Sequence, residues 1–172
     1  MSTLPSDAAT TRHAPEFEPR FRQALGLFAT GVTVVTARLP DGQRAGLTVS
    51  SFNSVSLQPP LVLWSLSRQS QSLSVFESAS HYAIHVLGAH QLALGERFAG
   101  PRELRWAGLP HHWSPHGCPL LEGCMAVFEC SQRNRYIEGD HVIFVGQVES
   151  CQSGPGSLAL LYHRGQMFPQ KP

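Results

Sequence analysis

The chain has 172 residues, 42% of them hydrophobic and 15% charged, with a formal net charge of +1 when histidine is neutral. No basic run or stripe is present to hold nucleic acid, and no apolar run approaches the ~18 residues that a membrane span requires. So few charges leave more apolar surface than a monomer of this size needs, which points to a subunit interface.

Residues 1–18 read as a flexible N-terminal arm, polar and interrupted by Pro5 and Pro15. They lack the basic flank and apolar stretch of a signal peptide, so a cytoplasmic location is expected. Residues 19–172 read as a single domain. Phe21, Ala24, Leu25 and Phe28 recur at helical spacing, with Pro19 where a first-turn proline is tolerated. The β-branched run 32–38 predicts a strand, Pro40-Asp41-Gly42 a turn, and residues 44–52 the return strand of a hairpin. Phe52, Val55 and Leu57 alternate as buried positions, and 61–66 predicts a fully buried strand after the Pro59-Pro60 corner. A short helix over 70–76, a strand over 81–87 and a helix over 91–98 follow. Residues 100–121 hold four prolines and two tryptophans and read as an irregular cover for a site or an interface. Long strands over 124–136 and 141–151 flank the tight turn Glu138-Gly139-Asp140, and 158–162 predicts a last strand. Many strands with few short helices predict an antiparallel barrel rather than alternating βαβ units. No GxGxxG follows a strand, so a dinucleotide fold of that type is not indicated.

The stretch 45–72 carries the chemistry. Thr48, Ser50 and Ser51 precede the strand at 61–66, and Ser65, Ser67, Arg68, Ser70 and Ser72 follow or end it. Hydroxyls and backbone N–H groups suit the polar edge of a flat heterocycle. Hydroxyls with an arginine before a helix start suit a phosphate. A flavin nucleotide has both features. Serines and threonines also serve as ordinary turn and cap residues, which is the plain alternative for each of them.

Gly31-Val32-Thr33-Val34-Val35-Thr36, Gly46-Leu47-Thr48-Val49-Ser50-Ser51-Phe52, Ser56-Leu57-Gln58-Pro59-Pro60-Leu61 and Gly139-Asp140-His141 occur in this order. Together they resemble the flavin reductase-like family, across roughly residues 21–167. The resemblance implies an antiparallel, Greek-key split β-barrel that binds FMN or FAD, and a homodimer with its flavin sites near the subunit interface. It implies hydride transfer from NADH or NADPH to flavin, with reduced flavin passed to the oxygenase component of a two-component monooxygenase. It places Thr48, Val49, Ser50 and Ser51 along the isoalloxazine and Trp64, Ser65 and Leu66 beside the ribityl chain. Ser67, Ser70 and Ser72, with Arg68, fall near the phosphate. His141 is placed at the nicotinamide side, as a contact rather than an obligatory proton donor. Phe98 is implied as a cover of the flavin, and Tyr162 and Arg164 as part of the late segment that closes the site.

Two other functions share this pattern: a flavin-binding carrier or redox sensor without turnover, and an FMN-dependent oxidase of the pyridoxamine phosphate oxidase-like type. Gly139-Asp140-His141 favours the reductase, because a carrier needs no nicotinamide contact. The oxidase calls for a basic substrate pocket, and no cluster of Arg and Lys is evident in the sequence. His111, His112, His116 and Cys118 lie close together but match no established metal-ligand spacing, so no metal site is expected from them. The four cysteines form no CxxC pair and read as reduced thiols.

Overall fold

The computed structural model describes residues 12–156 and 158–172. The first eleven residues of the expected arm lie outside that range. The arm's last residues already belong to helix α1 (Phe17–Leu25), which precedes β1 (Thr30–Gly31) and β2 (Thr33–Arg38). Then come β3 (Arg44–Val49), β4 (Asn53–Leu57), β5 (Pro60–Ser67), α2 (Leu73–Ser78), β6 (His81–Val86) and α3 (Leu92–Ala99). The small hairpin β7 (His112–Trp113) and β8 (Pro119–Leu120) follows, then β9 (Ala126–Glu138), β10 (His141–Ser153), β11 (Leu160–His163) and β12 (Gln166–Pro169).

Seven strands form one antiparallel sheet in the order β3-β2-β6-β9-β10-β5-β4. Its two edge strands, β3 and β4, are joined by residues 50–52 alone. The four steps from Val49 to Asn53 span at most about 14 Å, so the sheet has to curl until its edges meet. Ser51 stitches the seam. Its hydroxyl donates to the Ser65 carbonyl at 3.0 Å and accepts from the Ser65 N–H at 2.9 Å, as a neighbouring strand would. Connectivity and this one side chain therefore produce the expected split barrel. A second sheet, β1-β11-β12, caps one side.

Several local expectations are corrected. Residues 61–66 are not buried on both faces. They alternate, with Val62, Trp64 and Leu66 inside and Leu61, Leu63 and Ser65 half-exposed. β4 is an edge strand, so Val55 and Leu57 point to the surface. The segment over 100–121 is not wholly irregular, since β7 and β8 pair within it.

The core inside the curl centres on Trp64. Its ring stacks on Phe144 at 4.6 Å and meets Phe76 and Tyr82 edge-on at 4.9 and 5.7 Å. A second apolar cluster, with Val34, Leu87, Phe98 and Leu160, lies between the sheet and α3. The fully buried His85 ties the segment after β8 to β2: its Nε2 accepts from the Leu121 N–H at 3.1 Å, so Nδ1 carries the proton and donates to the Val34 carbonyl at 3.0 Å. Burial pulls its pKa down to about 4 from an ordinary 6.5, partly opposed by the Val34 bond. The unfolded chain therefore takes up a proton on His85 that the folded chain refuses. Stability from this group is complete above pH 6.5 and lost as pH falls toward 4, by up to about 3 kcal/mol. Urea unfolding at pH 7.5 and 4.5 should show this loss, reduced in His85→Asn.

Candidate functional site

The pleat of β5 and β10 sets the site. Directly paired residues of antiparallel strands share a face. Trp64 pairs with Phe144 and Leu66 with Val142, all turned into the core. Ser65 pairs with Ile143 and Ser67 with His141, on the opposite face. Two motifs that lie more than seventy positions apart are thus neighbours. The turn after β9 locks onto the end of β5. Gly139 adopts φ 60° to make the two-residue bend, the Asp140 carbonyl accepts from the Arg68 N–H at 2.9 Å, and the Arg68 guanidinium donates to the Gly139 carbonyl at 3.4 Å. Arg68 is therefore bonded to the His141 turn and exposed.

His141 Nδ1 lies 2.7 Å from Asp140 Oδ1. A carboxylate only accepts, so Nδ1 is the donor and Nε2 is left for other partners. The hydrogen bond and the nearby imidazole hold the exposed Asp140 carboxyl below its ordinary pKa.

From Ser67 the chain turns, with the Ser70 N–H on the Ser67 carbonyl at 3.0 Å, and delivers Ser70 and Ser72 to an open cleft of about 500 Å³. Across it stand Gly100, Pro101, Arg102 and Arg105. Neither arginine was singled out in the sequence. Arg102 donates to the Gln71 carbonyl at 3.3 Å. Arg105 is more deeply set, bonded to the Gly46 carbonyl at 2.8 Å and twice to the Gly100 carbonyl. Partial desolvation and then the charge of Arg102 lower its pKa, against a smaller opposing effect of Glu103, although a guanidinium remains a cation at neutral pH. Two adjacent cations and hydroxyls form an anion receptor, which fits the phosphate of a flavin nucleotide. Ser67, the strand partner of His141, and Ser72, which lines the cleft, are joined by five residues, at most about 17 Å of chain.

Other expected site residues are placed differently. Trp64, Leu66 and Val49 are core side chains and can offer a ligand only main-chain atoms. Phe98 is fully buried, edge-on to Trp106 at 5.2 Å, and cannot cover a ligand. It sits so close to β3 that a Cβ on Gly46 would lie 2.5 Å from its ring, which explains the glycine there. The Thr48 hydroxyl donates to the Gly95 carbonyl at 2.7 Å and anchors α3, while Ser50 is exposed at the seam. Tyr162 packs on the second core, and Arg164 forms the β11–β12 bend with φ 51°, tied to the Gly26 carbonyl. Both belong to the separate three-stranded sheet. The cysteines read as thiols are all free, and burial pushes Cys118 and Cys124 up to about 11 and Cys130 up to about 12, so these three stay protonated.

Residues 25–171 match the flavin reductase like domain. The chain is 41% identical over 145 residues to the flavin reductase of Pseudomonas putida, covering 84% of this chain and 85% of that one. It is 42% identical to the reductase component of the flavin-dependent trigonelline monooxygenase of Acinetobacter baylyi, over 86% of this chain and 47% of that protein. It superposes on the NADH:FAD oxidoreductase SgcE6 of Streptomyces globisporus, solved in complex with NAD and FAD fragments, with a TM-score of 0.84 at 30% identity, covering 95% and 98% of the two chains. The chain spans about half the length of some longer relatives, including the Acinetobacter protein and a solved Sinorhizobium meliloti structure.

Proposed function

The chain belongs to the flavin reductase-like family, and from that premise we propose that it oxidises NADH or NADPH, reduces FMN or FAD, and supplies the reduced flavin to the oxygenase component of a two-component monooxygenase. The observation that carries this is the single edge on which His141 and Ser67 run into the cleft of Ser70, Ser72, Arg102 and Arg105.

When bound, the flavin supplies the ring that accepts hydride from the nicotinamide. Arg102 and Arg105 hold its phosphate with the Ser70 and Ser72 hydroxyls. Main-chain groups around Ser50 and Ser65 line the ring and ribityl chain. Asp140 fixes the ring of His141, whose outward face orients the nicotinamide. No fixed anion faces the cleft among its lining residues, and no deep enclosure traps the ligand, which suits a flavin that leaves after reduction. Half-exposed Leu63, Ile143 and Val145 on the same face as His141, with exposed Val55 and Leu57 on β4, support a homodimer packed beside the site; a monomer in light scattering would remove that part. No helix among the described residues is long and apolar enough to cross a membrane.

The test is NADH oxidation in air, without flavin and with FMN or FAD. Oxidation should rise sharply only on adding flavin. Measurable flavin binding with no oxidation from NADH or NADPH would favour a carrier or an oxidase. His141→Ala should lower kcat/KM for the nicotinamide about tenfold, the worth of one good contact, with flavin affinity nearly unchanged. Equal losses in both would displace His141 from the nicotinamide side.

A further inference from the structure

We propose that His81, His116 and Glu149 form a binding site for a divalent transition-metal ion of the zinc type, which pins the β7–β8 loop to the outer face of the sheet. Among the described residues these three bring their ligand atoms within 4.8 Å of one another. His81 Nε2 lies 3.5 Å from Glu149 Oε2, and His116 Nε2 lies 3.3 Å from the same oxygen. Bonds of about 2.1 Å in tetrahedral array put neighbouring donor atoms about 3.4 Å apart, so both separations already match the edges of a coordination tetrahedron. The two imidazoles are stacked at 4.1 Å and 4°, each with its Nε2 within 3.5 Å of the carboxylate oxygen; parallel rings cannot both hold one ion in plane, so binding requires one imidazole to turn about its Cβ–Cγ bond.

Each ligand is positioned by a separate feature. His81 opens β6, and its Nδ1 lies 2.9 Å from Ser80 Oγ, the outer bond that orients a metal-bound imidazole. Glu149 is the extra residue of a bulge in β10. The pairing with β9 jumps from Val148–Cys130 to Ser150–Glu129, so Glu149 has no strand partner, and a bulge re-aims the side chain it carries. His116 sits in a tight loop that Ser114 organises, its hydroxyl accepting from the N–H groups of His116 and Cys118 and its carbonyl from that of Gly117.

Three protein ligands leave the fourth position to water. Nitrogen and carboxylate donors without thiolate suit zinc, nickel or copper better than calcium or magnesium. The thiols of Cys118 and Cys130 are buried and do not share the point on which the three ligand atoms converge. Glu149 lies eight residues along β10 from His141, about 26 Å away, so this site is apart from the flavin cleft. His111 and His112 of the same loop turn elsewhere. His111 packs edge-on to Trp106 and Trp113, and His112 pairs with Glu122 at 2.8 Å.

The experiment is calorimetric titration of the chelator-treated full chain with Zn²⁺ alone, repeated on His116→Ala, E149Q and His112→Ala. The wild type should bind one ion per chain. His116→Ala and E149Q should each weaken binding at least tenfold, and His112→Ala should not. Both critical side chains are partly exposed, so these variants should fold; Zn²⁺ should raise Tm in the wild type and not in His116→Ala. Co²⁺ should give the visible bands of a four-coordinate nitrogen–oxygen site. No binding by the wild type at 100 micromolar, equal affinity in all variants, or a cobalt–thiolate charge-transfer band would each overturn the proposal.

Discussion

Trp64→Ala should destabilise the fold by about 3–5 kcal/mol, the usual cost of emptying a large aromatic site in a packed core. Trp64 is fully buried and contacts three other rings, on β10, α2 and β6. A domain of this size has about 5–15 kcal/mol to lose, so the variant sits near the threshold of unfolding. Urea midpoints at constant slope measure the effect, and a loss below about 1 kcal/mol would mean the core relaxes around the gap. The consequence reaches function through the pleat, because the residues flanking Trp64 and its β10 partner are Ser65 and Ile143 on the site face. Flavin affinity should therefore fall in Trp64→Ala although its side chain touches no ligand.

Arg102→Ala should raise the flavin dissociation constant ten- to hundredfold with little loss of stability. A charge-assisted bond to phosphate contributes about 1.5–3 kcal/mol, and each 1.4 kcal/mol is a factor of ten. Arg102 is the informative choice of the two cleft arginines. It makes one 3.3 Å bond to the Gln71 carbonyl, whereas Arg105 braces Gly46 and Gly100 and its loss would disturb the cleft itself. Fluorescence titration of flavin at two salt concentrations reads both affinity and charge: the variant should bind weakly and with reduced salt dependence. Unchanged affinity would move the phosphate away from this cleft.

Neither residue's role was plain in the sequence, for different reasons. The family resemblance places Trp64 beside the ribityl chain; the alternation of β5 turns its side chain inward and leaves Ser65 and Ser67 outside. Arg102 lies in a proline-rich segment with no periodicity, and only the packing of α3 against β3, with no room for a Cβ at Gly46, brings that segment opposite Ser70. Phe98 satisfied a motif context but was claimed by the core. β12 was missed because a four-residue strand whose sole ladder is with β11 leaves too short a pattern to see.

By itself the sequence determined the class of fold, the long hairpin through Gly139 and the hydroxyl-rich stretch around β5, since each rests on local chemistry: β-branched alternation, a glycine bend, a run of donors. The ordered motifs determined the family. What only the tertiary structure decided is which side chains meet. His141 beside Ser67, two arginines across from Ser72, and His81, His116 and Glu149 around one point are joined by strand register, a bulge and a turn, and none of these leaves a signature in residue spacing.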